Sequence, residues 1–594
     1  MLHSASAASA QSDRQRPLAD HSADWRMVIL ALASLVVGTS GALGAWLLLK
    51  LIAVATNAFW FGRLSADAAD IADAHLGWAV TIVPVAGALI IGLMARFGSE
   101  KIRGHGIPEA IEAILYGESR LSLKVAILKP LSSAISIGSG GPFGAEGPII
   151  MTGGALGSLF AQCFHLSAAE RKTLLVAGAA AGMTGIFGTP IAAILLAIEV
   201  LLFEWKPRSF VPVVGAALTA MAWRPCLLGT APLFPFTIGQ TPPAIAGLGI
   251  ALGIGLLTGL QASLLSLMLY RIEDGFHRLP VHWMWWPAIG AIAVGIGGLI
   301  DAHVLGAGYG NIQSLLDGGM VLRAVLSLLL VKAIVWLMAL GSGTSGGVLA
   351  PLLIQGGALG YLVGLYLPGS PGLWAMIGMA GIMSGAMRAP LTGALFAAEL
   401  TAHLDMLPMT MAAAAGAYAV SVLAMRRSIL TEKIARRGRH VRQEYAVDPL
   451  ELLQAGEIMT APAMTLPGMM RLADALAFFG GAAQHRSYPV VDAQGRLVGM
   501  ASRVDALRWQ TAGFDPEETL AQALSDSSQP AAFPQTPIGD VADLMLDSGI
   551  GRIPIVAPDD GRVIGMLSRH DLLKAREIRR RQEAERSGPR RLRP

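Results

Sequence analysis

The sequence predicts a polytopic α-helical membrane protein with a soluble α/β region at its C-terminal end, and three observations carry the prediction. Hydrophobic residues make up 53% of the 594 positions and charged ones 14%, far from the balance of a soluble globular chain. From about Trp25 to about Met425, apolar segments of spanning or near-spanning length alternate with short polar breaks, whereas Arg, Glu and Asp become common from Arg426 onward. Within the apolar part, GSGGPFGAEGPIIMTGGALG at 138–157 returns as GSGTSGGVLAPLLIQGGALG at 341–360, and GIFGTPIAAILLAIEV from Gly185 returns as GAMRAPLTGALFAAEL from Gly385. Glycines, prolines and a glutamate keep register, so the membrane part is a tandem structural duplication.

The elements follow in order. Residues 1–24 are polar, with Asp13, Arg14 and Arg16, and lack the basic start, short apolar run and small-residue cleavage site of a signal peptide. They are expected to stay on the chain as a cytoplasmic N-terminus. The membrane domain spans 25–437, with repeats over about 77–224 and 282–425. Arg14, Arg16 and Arg26 precede the first span, Arg96, Lys101 and Arg103 follow the second, and the loop between them carries Asp67, Asp70 and Asp73. The positive-inside rule therefore puts both termini and the 96–106 loop in the cytoplasm. Cys163 and Cys226, the two cysteines, lie in apolar sequence and support neither a disulfide framework nor a thiolate metal site.

Many apolar segments are cut by X-Pro steps, at Ile107-Pro108, Gly147-Pro148, Thr189-Pro190, Ala350-Pro351 and Ala389-Pro390. Proline suits the first turn of a helix, so each step reads as a helix start inside the membrane. Non-helical backbone at that depth is tolerated only around protein or a polar cavity, and broken helices in matched register across two repeats mark a binding site. Gly138, Gly140, Gly141, Gly144 and Gly147 leave amides uncovered there, and helix N-termini add partial positive charge. Neither twenty-residue stretch contains Lys or Arg. A monovalent anion fits such a site, since a full countercharge would hold the ion too long for rapid passage. One asymmetry stands out: Glu146 in the first copy has Leu349 opposite it in the second. Its carboxylate competes with the anion for the same amides, as a gate that opens when protonated or displaced; a plain helix cap has the same geometry.

GHGIPEA at 104–110, GAEGP at 144–148 and GGVLAP at 346–351 resemble the three anion-site motifs of the CLC chloride channel and transporter family, over about Trp25 to Arg437. The resemblance implies two inverted repeats of short tilted helices, a homodimer with one anion pathway per subunit, chloride as the permeant ion, and a multi-pass place in the inner cell membrane. It makes Glu146 similar to the family's gating glutamate. It places His105, Gly106, Gly144, Ala145, Val348, Leu349 and Leu430 along the anion site, with Phe143 leading into the gate.

Departures from the family pattern carry information too. His105 stands where the family has a serine hydroxyl, Leu430 where it has a tyrosine, and Leu349 where it has an aromatic residue. A hydroxyl is thus missing on both sides of the inner end. His105 either adds positive charge when protonated or hydrogen-bonds to nearby backbone. In proton-coupled members a second glutamate relays protons from the cytoplasm; here that position is Val200, after Glu199. Glu199 has a counterpart in Glu399, which favours a symmetric structural role for both. Passive, channel-like conduction is the expectation, with a proton-coupled chloride antiporter as the alternative.

After a linker over 438–452, SYPVVDAQGRLVGMASRVDAL from Ser487 and GRIPIVAPDDGRVIGMLSRHDLL from Gly551 share a strand, a turn, a second strand and a Ser-Arg-x-Asp helix start. The pattern resembles a tandem CBS pair over about 453–576, which makes Ser502, Asp505, Ser568 and Asp571 candidates to hold an adenine nucleotide. Ser-x-x-Asp is equally a helix capping box. The basic tail at 577–594 suits anionic lipid headgroups. A divalent-cation transporter would need several intramembrane carboxylates. An intramembrane enzyme would need a metal-binding His pair such as HExxH, or a nucleophile with its base. Neither pattern occurs, so no enzyme activity, metal, required cofactor or nucleic-acid partner is expected.

Overall fold

The computed structural model describes residues 25–74, 76–439, 453–513, 515, 517–525 and 530–574. The polar N-terminus, most of the 438–452 linker and the 577–594 tail lie outside them. The chain divides into two compact units, 1–444 and 445–594.

The first unit is helical, and its elements repeat in order. The long helix α1 (Trp25–Phe61) precedes α2 (Ile82–Phe97), α3 (Ile107–Tyr116), α4 (Leu123–Gly138), α5 (Glu146–Cys163), α6 (Ala168–Phe187), α7 (Pro190–Leu196) and α8 (Pro207–Leu227). A second long helix, α9 (Ala244–His277), precedes α10 (Trp286–Ile300), α11 (Tyr309–Leu316), α12 (Leu322–Ser327), α13 (Ala333–Gly341), α14 (Leu349–Gly364), α15 (Pro371–Met387), α16 (Pro390–Thr401) and α17 (Leu407–Ala424). The short α18 (Thr431–Arg436) closes the unit. The two halves match helix for helix, except that α4 is answered by α12 and α13 joined through a π-turn at Leu328–Lys332.

Among the described residues, seven helices are long and apolar enough to cross a bilayer, α1 and α9 among them. Their outward faces carry leucines such as Leu32, Leu43, Leu256 and Leu260, as lipid contact requires. By contrast α5, α6, α14 and α15 are almost wholly buried. Their glycines make this possible: a Cβ on Gly153 would strike Gly178 O, and one on Gly356 would strike Gly378 O, the same backbone-to-backbone approach in both halves. The protein is a multi-pass membrane protein of mostly helical build.

The second unit holds two small sheets. β1 (Leu466–Pro467) runs parallel to β2 (Ser487–Val491), which pairs antiparallel with β3 (Leu497–Ser502). In the other half β4 (Arg552–Val556) pairs antiparallel with β5 (Val563–Ser568). β2 and β4 are buried along most of their length rather than on one face, with Tyr488 and Val490 in one apolar cluster and Ile553 and Ile555 in another.

Candidate functional site

Three broken segments converge in the first unit. After α4 the chain turns through Gly140, at φ 100°, and restarts as α5 at Glu146; after α13 it turns through Gly343, at φ 84°, and restarts as α14 at Leu349. The two turns meet in an antiparallel bridge, with Gly347 N–H donating to Gly144 O at 3.0 Å and Gly144 N–H to Gly347 O at 3.4 Å. The third segment enters at Gly106, at φ 90°, which caps α3. Here a Cβ on Gly147 would strike His105 O.

The Glu146 carboxylate is fully buried and folds back over this bridge. A Cβ on Gly144 would collide with it, and one on Gly347 would stand 2.8 Å from its Oε2. Oε1 accepts from the Tyr309 hydroxyl at 3.5 Å, the backbone amides of Glu146 and Ala350 lie against the carboxylate, and Oε2 has no partner. One expectation needs correction: several glycine amides are not uncovered. Gly140 N–H donates to Ile137 O at 3.0 Å, Gly141 N–H to Ser136 O at 2.8 Å and Gly106 N–H to Glu109 Oε2 at 3.1 Å, while the Gly144 amide is spent on the bridge. Close approach rather than free donors explains these glycines. Donors remain at the heads of α5 and α14, whose first N–H groups have no acceptor within the helix. Val348 and Leu349 sit there, fully buried, while Ala145 N–H donates to Tyr309 Oη at 3.3 Å and Phe143 packs under Gly346.

At the other end of the site lies a cavity lined by Gly104, His105, Tyr270, Glu273, Gly343 and Lys433. His105 is buried and neither ring nitrogen has a partner, so the backbone-bonded alternative does not hold. Leu430 is fully buried at the start of α18. A hydroxyl does reach this end, from Tyr270 on α9, but it donates to Ile429 O at 2.5 Å. Ion pairs anchor α18: Lys433 Nζ to Glu109 Oε1 at 2.8 Å, Arg437 to Glu109 at 3.4 Å and to Glu112, and Arg436 to Asp274.

The sequence reading missed two buried cations. Lys129 and Lys332 each lie nine residues ahead of the matched Gly138 and Gly341, just outside the stretches compared. Lys129 Nζ donates to Ile102 O and Gly104 O, both at 2.8 Å, and to Ser345 Oγ at 3.0 Å. Lys332 Nζ donates to Val304 O at 3.0 Å and Gly306 O at 3.2 Å. Each ammonium thus ties down the turn ahead of a broken helix. Extending the register of the duplication would have found both.

Glu199 and Glu399 cap each other's repeat. Glu399 accepts from Ile191 N–H at 3.1 Å and Ala192 N–H at 2.7 Å, heading α7; Glu199 accepts from Leu391 N–H at 3.3 Å, Thr392 N–H at 2.8 Å and Thr392 Oγ at 2.6 Å, heading α16. Val200 is fully buried in the π-turn after α7. In the second unit, Ser502 Oγ donates to Asp505 Oδ2 at 2.5 Å and Asp505 N–H donates back to Ser502 Oγ, completing a capping box; Ser568 Oγ and N–H both donate to Asp571 Oδ2, at 2.6 and 2.9 Å. Among the described residues no three His, Cys, Asp or Glu side chains cluster to hold a metal ion.

The family model for the voltage-gated chloride channel matches residues 86–422, more than half the chain, and CBS domain models match 455–512 and 526–578. A relative in Salmonella typhi, a voltage-gated ClC-type chloride channel ClcB, is 30% identical over 359 residues, 58% of this chain and 85% of its own. Among solved structures, a slow cyanobacterial Cl−/H+ antiporter superposes with a TM-score of 0.61 at 20% identity, over 70% of this chain and 99% of its own. A eukaryotic CLC transporter covers 92% of this chain and 98% of its own, with a TM-score of 0.57 at 19% identity. At those identities the two structures speak for the fold alone.

Proposed function

The chain belongs to the voltage-gated chloride channel family, and on that footing we propose that its membrane unit moves chloride or a similar monovalent anion across the inner cell membrane, passively and through a pathway that Glu146 gates. Family membership implies transport, not catalysis. The observation that carries the gate is the buried Glu146 carboxylate lying across the Gly144–Gly347 bridge, in front of the amides that head α5 and α14. An anion entering that place displaces the carboxylate, and a proton neutralises it; both leave the amides to the anion. Flux therefore rises as pH falls. For passive conduction the support is that Val200 carries no proton and that Glu199 is engaged in capping α16. Two subunits, each with its own pathway and with both termini cytoplasmic, complete the proposal, the CBS pair acting on flux from that side.

The test is anion flux from liposomes against pH. Glu146→Gln and Glu146→Ala are expected to raise flux at neutral pH and to flatten its pH response without unfolding the protein. Two folded variants with wild-type flux and pH response would sink the gate.

A further inference from the structure

We propose that Tyr309 works the gate: its hydroxyl holds Glu146 across the pathway and, once the carboxylate leaves, becomes a ligand of the anion that replaces it. This rests on the reading of Glu146 as the gate. Tyr309 opens α11 from the second repeat, set by Gly308 in the left-handed region at φ 72°. Its hydroxyl stands between the two groups of interest, accepting from Ala145 N–H at 3.3 Å and donating to Glu146 Oε1 at 3.5 Å. A hydroxyl has one hydrogen. With the oxygen turned to the Ala145 amide, that hydrogen faces whatever occupies the carboxylate's place.

The ring cannot follow the carboxylate when it moves. Phe187, at the end of α6, meets it edge-on at 6.5 Å, and Phe234 packs on it at 6.0 Å; Phe187 is itself backed by Phe396 at 5.4 Å. The donor is therefore preorganised. The carboxylate is held less fully: Oε2 has no partner, and the backbone amides of Glu146 and Ala350 that lie against it pass to the anion that takes its place. Of the titratable groups on elements around Glu146, Lys129 of α4 is bound to Ile102 O, Gly104 O and Ser345 Oγ, and His105 presents its carbonyl to Gly147. The charged residues of α6 lie in its first turns, beyond the Gly182 that meets Ile149, and α14 has none. Tyr309 is the titratable residue whose side chain touches the carboxylate.

The sequence comparison overlooked this residue because Tyr309, in GAGYGN, takes the place that Ile107 holds in GHGIPE, outside the stretches compared. Tyr309→Phe keeps the ring and removes the hydroxyl. The experiment measures chloride flux of the full chain in liposomes against pH and chloride concentration, for wild type, Y309F, E146Q and E146Q/Y309F. Losing a bond to the ionised carboxylate makes protonation easier, so Y309F is expected to turn on at a pH higher by about half to one unit, the worth of one net hydrogen bond. In the E146Q background no ionised gate remains, and the added Y309F change is expected to raise half-saturating chloride about three- to tenfold. A wild-type pH profile for Y309F, or unchanged half-saturation in the double variant, overturns the proposal. Should E146Q itself keep the wild-type pH profile, the gate reading fails instead.

Discussion

One methyl group tests where the gate rests. A Cβ on Gly347 would stand 2.5 Å from Gly144 O and 2.8 Å from Glu146 Oε2, so Gly347→Ala must push the carboxylate out, the bridge apart, or both. It is expected to raise flux at neutral pH toward the Glu146→Gln level and to cost about 1–3 kcal/mol of stability, as overpacking does. Gly249→Ala in α9, where nothing lies within 4 Å of the new carbon, serves as the neutral control. Thermal unfolding in detergent beside the flux assay decides it; a folded Gly347→Ala with unaltered pH response would mean that the carboxylate rests elsewhere. At this scale the sequence was readable where residues recur in register: Glu146 against Leu349 marked the asymmetry at once. It was unreadable where a side chain crosses from the other half, as Tyr309 does, because no local pattern connects residues more than 160 positions apart.

Helix starts are the elements on which the site depends, and prolines announced them. Pro108, Pro148, Pro190, Pro351 and Pro390 all fall in the first turn of α3, α5, α7, α14 and α16. What closes those starts was only half legible. The matched Glu199 and Glu399 indicated a structural pair, but the exchange, each glutamate capping the helix of the opposite repeat, needs the fold. Gln keeps one amide oxygen as acceptor and loses the charge. Glu199→Gln and Glu399→Gln are therefore each expected to cost about 0.5–2 kcal/mol, the range of a helix cap, and Glu199→Gln the more, because Glu199 also accepts from the Thr392 hydroxyl where Glu399 faces Ala192. Melting curves of the two variants provide the check, and a cost for Glu399→Gln equal to or above that of Glu199→Gln would show that the Thr392 hydroxyl adds nothing. The π-turns at Ala197–Leu202 and Leu328–Lys332 had no sequence signal, since each continues an apolar run with the wrong hydrogen-bond step.

For the whole molecule the decisive quantity is coupling. A chloride gradient across liposomes is expected to drive no uphill proton movement, because the Val200 position is apolar and Glu199 is committed to α16. Proton pumping at a fixed ratio to chloride would replace passive conduction by coupled exchange. The architecture was legible because both duplications are written in sequence: glycine spacing in the membrane unit, and short apolar strands with Asp-Ala-Gln-Gly and Pro-Asp-Asp-Gly turns in the second. The bridge between Gly144 and Gly347 also has a consequence for the cell that makes this protein. Those two residues are 203 positions apart, so at roughly 5–20 residues per second the later one leaves the ribosome some 10–40 seconds after the earlier. During that interval Glu146 has no second half to lie against and no conduit to obstruct. A chain abandoned midway through translation therefore holds half of a seam, without the α14 amides or the Tyr309 hydroxyl that complete the site.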